Sequence, residues 1–102
     1  MNEVREEAKG FVLSAMIKAK FGTNSKEKKI FEELKIKFIN KNGSWRNVDE
    51  VLLDVLAQLK EVYPNGTERM ANAAVLLGKM AGQFDYLYEF AKRERIKSDE
   101  SN

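Results

Sequence analysis

Val4, Ala8, Phe11, Val12, Ala15, Met16 and Ala19 recur at spacings of three and four, which sets them along one face of a helix. The pattern predicts a helix from about Asn2 to Phe21. Gly22 can take the left-handed conformation that closes such a helix. Gly10 weakens the middle without breaking the period. After a short connection, Ser25 is suited to cap a second helix, in which Ile30, Phe31, Leu34 and Phe38 share a face. A helix over 26–39 is expected. A hairpin within 34–48 is the alternative, since Leu34 to Phe38 alternates as a strand does and Asn42-Gly43 suits a two-residue turn. That turn would pair Ile39 with Arg46 and Phe38 with Asn47, leaving the partner strand no apolar face.

The third helix carries the plainest signal. Asn47 and Glu50 have capping-box spacing, and Val48, Val51, Leu52, Val55, Leu56, Leu59, Val62 and Tyr63 follow as an unbroken stripe. Pro64-Asn65-Gly66 stops it. A fourth helix restarts at Asn65 or Thr67 and runs to about Arg95, with Met70, Ala73, Leu77, Met80, Phe84, Leu87 and Ala91 on its core face. It would span roughly 40 Å, against about 28 Å for the first helix. The expected fold is all-α: a four-helix bundle-like single domain over 1–96 with a long C-terminal helix. A flexible polar tail follows over 97–102.

Composition narrows the chemistry. With 102 residues, 43% hydrophobic and 33% charged, the chain suits one ordered domain. It has no Cys and no His, so disulfides, thiolate nucleophiles, the commonest metal ligand and the usual proton shuttle near neutral pH are all missing. Glu50 and Asp54 stand four apart where a Mg²⁺-holding carboxylate pair wants three, and no second cluster has matching spacing. Acidic residues at helix starts are accounted for by the helix dipole. Glycine-rich phosphate loops are absent, and the serines have no base suggested by the sequence. No catalytic residue, metal site or cofactor is expected. No signal peptide and no membrane span are visible, which makes the cytoplasm the expected location.

Two candidate surfaces remain. On the fourth helix, Ala71, Val75, Gly78 and Gly82 lie opposite the core stripe, extended by Tyr86 and Phe90. Two glycines inside a helix cost about 1 kcal/mol each relative to Ala, a cost that packing usually offsets. This strip is the expected protein interface, with a homodimer as the expected assembly, and a non-enzymatic interaction or regulatory protein as the expected function.

The alternative function is nucleic-acid binding through the stretch from Lys18 to Arg46. It holds nine basic residues (Lys18, Lys20, Lys26, Lys28, Lys29, Lys35, Lys37, Lys41 and Arg46) and three acidic ones, whereas 47–91 holds three basic and seven acidic. A net charge of +2 therefore hides a polarised molecule, and one face could neutralise phosphates. A helix-turn-helix register around Gly22 fails, because Lys18 and Lys28 occupy positions that want small and aliphatic residues. Trp45 is either a lid on the core or a contact residue.

Overall fold

A computed structural model describes residues 2–100, with side chains over 3–95. Its elements are α1 (Asn2–Phe21), α2 (Lys26–Glu33), α3 (Val48–Val62), α4 (Gly66–Leu77), a 3₁₀ segment (Gly78–Gln83) and α5 (Phe84–Glu100). The fold is all-α with a long C-terminal helix, and no strand occurs among the described residues. The expected stripes form most of the core, but Val62 and Met70 stand exposed and Leu76, off the expected stripe, is fully buried. Ala8, Val12, Ala15, Met16 and Ala19 of α1 meet Val51, Leu52, Val55, Leu56 and Leu59 of α3 and Ala73, Leu76 and Leu77 of α4 in one buried cluster. α1 is the hub, touching α2, α3, α4 and the 3₁₀ segment, while α5 packs on α3. Each fully buried leucine contributes about 1.5–3 kcal/mol relative to exposure.

Side chains cap three of the helices. Ser25 Oγ accepts from the Lys28 N–H at 3.1 Å, Asn47 Oδ1 from Asp49 at 2.8 Å and Asn65 Oδ1 from Glu68 at 3.0 Å. Glu50 is drawn instead toward Arg46, 3.9 Å away.

The structure departs from the expected boundaries in three places. First, α2 ends at Glu33 and not at Ile39. Lys35 takes a left-handed conformation (φ +57°), and the N–H groups of Ile36 and Lys35 donate back to the carbonyls of Phe31 and Glu32. This is a Schellman stop, closed by the buried pair Phe31 and Ile36. Residues beyond it turn back as a rudimentary hairpin, with Ile39 bridged to Trp45. Its loop is three residues long, Lys41-Asn42-Gly43, with Gly43 at φ +89° and the Asn40 N–H donating to the Ser44 carbonyl at 2.7 Å. The extra loop residue moves Ile39 opposite Trp45 rather than Arg46, which restores the apolar cross-strand contact that a two-residue turn lacks.

Second, the expected fourth helix is divided at Gly78. This residue caps α4 with φ +55° and ψ −136°, a conformation open essentially to glycine alone, and its N–H donates to the Ala74 carbonyl. A 3₁₀ turn then leads into α5. Third, α5 is helical through Glu100, so the expected tail is helical over 97–100, and 101–102 lie outside the described residues. No helix among the described residues is long and apolar enough to cross a membrane.

Candidate nucleic-acid interface

The lysine-rich stretch folds into one corner of the molecule because of a glycine. The Gly22 N–H donates to the Lys18 carbonyl at 2.8 Å, and a Cβ on Gly22 would lie only 2.5 Å from that oxygen. The chain can therefore double back at once into α2, bringing the end of α1, the whole of α2 and the hairpin together. Two latches hold the far end of α2 on α3: Gln58 Nε2 donates to the Leu34 carbonyl at 3.1 Å, and the Tyr63 hydroxyl donates to the Glu33 carboxylate. Burial, reinforced by Glu33, pushes the Tyr63 pKa up to about 12.

Aromatic rings run outward through this corner like a ladder. Phe31 is buried in the core; Phe38 lies 5.0 Å from it; Trp45 stacks on Phe38 at 6.1 Å and 26°; Phe21 lies 6.3 Å from Trp45. The outer rungs reach solvent, Trp45 at 40% and Phe21 at 72% exposure. Trp45 is thus both lid and surface, with one face on Phe38 and part of the ring open. Its backing keeps it in place, so a flat partner would meet a platform that is already ordered.

Around the ladder stand Lys18, Lys20, Lys26, Lys28, Lys29, Lys35, Lys37 and Lys41, all exposed. None of these eight takes part in an ion pair among the described residues. The segment's carboxylates are only Glu27, Glu32 and Glu33, the last occupied by Tyr63. Lys20, Lys28 and Lys37 rim a cleft of about 450 Å³ whose wall includes Phe31, Ile36 and Phe38, with Glu32 its one acid. Arg46, expected among the nucleic-acid contacts, does not belong to the patch. Its guanidinium turns inward, donating to the Lys37 carbonyl at 2.8 Å and to Asp54 at 2.9 Å. Asp54 also receives Arg95 at 2.8 Å. Its carboxylate therefore serves as the clasp between hairpin, α3 and α5. Among the described residues no cluster of acidic side chains is arranged to hold a metal ion.

The expected glycine strip is broken up. Gly78 faces Phe11 of α1, whose Cε1 lies 2.5 Å from where a Cβ would stand, so this glycine serves packing within the chain. Gly82 sits in the 3₁₀ segment with open space around it, Ala71 is exposed and Val75 half-buried. Tyr86 is half-buried against the core, and Phe90 lies under the Arg5 guanidinium at 5.0 Å. The turn at Gly78 removes the single helix face on which all six were expected.

Sequence reasoning passed over Leu13, Ile17 and Phe21. All three are apolar yet lie off the core positions of α1, a legible signal of an outward face. Comparison with known proteins adds no relative: no family model fits the chain, and neither a curated protein nor a solved structure matches it.

Proposed function

We propose that the protein is a non-enzymatic binding protein that takes single-stranded nucleic acid on the corner formed by α1, α2 and the hairpin. The observation that carries this reading is the backed aromatic ladder ending in open Trp45 and Phe21, set among eight lysines that make no ion pair among the described residues. Phosphates neutralise such lysines and release counterions, while bases stack on exposed rings whatever their identity. A single strand offers both groups at once. A duplex keeps its base faces covered and would engage the lysines alone. Such a protein acts by occupying its partner.

The reading is tested by titrating labelled oligo(dT), and a duplex of equal length, with the protein across a salt series. Single strands are expected to bind more tightly, with affinity falling steeply between about 50 and 200 mM salt. Trp45→Ala is expected to weaken binding roughly tenfold to a hundredfold, as loss of a stacked base does. Lys28→Gln and Lys37→Gln are each expected to flatten the log–log salt dependence by about 0.7. No binding at low salt would end the proposal. Equal binding of polyglutamate would point to an acidic protein partner.

A further inference from the structure

Beside the lysine corner, and sharing Lys20 with it, α1 presents an outward face that nothing among the described residues covers. Glu6, Gly10, Leu13, Ile17 and Lys20 follow one another at spacings of four, three, four and three, and all are exposed. This is the spacing of a coiled-coil seam. Its centre is apolar, with Leu13 and Ile17 each 45% exposed. Gly10 has no atom within 4 Å of the place a Cβ would take, so the helix backbone is bare at that point.

The charges choose the occupant. The N-terminal half of the face is acidic and the C-terminal half basic, and Glu6 and Lys20 are equally distant in sequence from Leu13. A parallel copy of the helix would set like charges together. An antiparallel copy related by a two-fold axis near Leu13 would set Glu6 of each chain against Lys20 of the other. Ile17 of each would then reach the bare stretch around Gly10. A two-fold contact is self-complementary by construction, so one such match serves at both ends. Intrachain partners leave these groups available. Lys9 Nζ sits between Asp49 at 3.0 Å and Glu6 at 3.4 Å, and the Glu6 carboxylate remains mostly exposed. Glu7, beside the seam, is met by Lys79 at 3.6 Å. Lys20 makes no ion pair among the described residues.

We infer that the protein pairs with a second copy of itself, α1 against α1 in antiparallel register, through Leu13 and Ile17 with Glu6–Lys20 ion pairs at both ends. The seam replaces the glycine strip as the dimer surface. Its apolar centre is small, so the dimer is of the weak, concentration-dependent class rather than the obligate one.

Sedimentation equilibrium over a concentration series tests it, with circular dichroism confirming that each variant stays folded; all the altered side chains are exposed. The wild type is expected to pass from the mass of one chain to that of two. Ile17→Glu is expected to abolish the rise, and Glu6→Lys to weaken pairing about tenfold by turning two attractions into repulsions. Combining Glu6→Lys with Lys20→Glu is expected to restore it. A wild type that stays monomeric at hundreds of micromolar overturns the inference. So does a dimer indifferent to Ile17→Glu, or a double reversal that fails to rescue. Ile17→Glu and Glu6→Lys leave every lysine of the corner in place, so with these two the dimer can fail while single-strand binding stands, and the reverse; Lys20→Glu removes a lysine of the cleft rim and is read for pairing alone.

Discussion

Two glycines that look equivalent in the sequence have opposite physical roles. Gly78 holds a backbone conformation denied to other residues and leaves room for the Phe11 ring, so Gly78→Val combines backbone strain with overpacking. It is expected to lower unfolding free energy by about 2–4 kcal/mol in a urea titration. A Cβ at Gly82 would meet nothing within 4 Å, and Gly82→Val is expected to stay within about 0.5 kcal/mol of the wild type. Equal effects at the two positions would mean that the turn at Gly78 is wrongly described. Tyr63 supplies a second residue-level test. Its hydroxyl titrates at an ordinary value of 10.0 when unfolded and about 12 when folded. The neutral form is therefore the one the fold favours. Its stabilisation is complete below pH 10 and is lost as pH rises through about 12. Tyr63→Phe is expected to cost about 1–2 kcal/mol at neutral pH and to remove this share of the alkaline decline. A variant that follows the wild-type curve through that window contradicts the assignment.

The helices whose apolar spacing is unbroken were the legible elements. α1 and α3 lie within a residue or so of their expected bounds, because a 3.6-residue period runs unbroken through each; after α1 the left-handed residue is Asn24 (φ +56°) and not Gly22. α2 was overextended for a local reason: its left-handed stop falls on Lys35, which carries no glycine signal, so the apolar period seemed to run on to Ile39. The hairpin's loop has three residues where Asn42-Gly43 suggests two, and a shift of one residue decides which side chains face each other. Gly78 was visible as a helix glycine, but only the approach of Phe11, distant in sequence, makes it a break. The candidate site shares this character. Its lysines were countable in the sequence, whereas the ladder from Phe31 to Phe21 joins residues on three different segments, and the inward turn of Arg46 depends on Asp54. The hairpin itself is testable as an element. Gly43→Ala forces a side chain into φ +89° and is expected to cost about 1 kcal/mol and to loosen Trp45, seen as a red shift of its emission. Unchanged emission and stability would show that the turn does not hold the platform.

Across the whole molecule, charge and apolar exposure are divided rather than spread. The α1–α2–hairpin corner concentrates lysines and open rings, the outward face of α1 carries its own bipolar seam, and the acidic residues of α3 are largely spent on clasps with Lys9, Arg46 and Arg95. On the proposed reading the helical core is a scaffold and its surface carries the binding. An antiparallel pair would set two such corners at opposite ends of the seam, so a strand long enough to reach both would bind with greater avidity than a short one. Trp45 is the only tryptophan, which makes the platform its own reporter. The most direct test is therefore the emission of Trp45 during titration with oligo(dT), repeated at rising salt and alongside polyglutamate as an acidic control. Saturable quenching by the single strand is expected, loosening steeply between about 50 and 200 mM salt, with no comparable quenching by polyglutamate. Binding of oligo(dT) that leaves Trp45 emission unchanged would contradict the proposed reading.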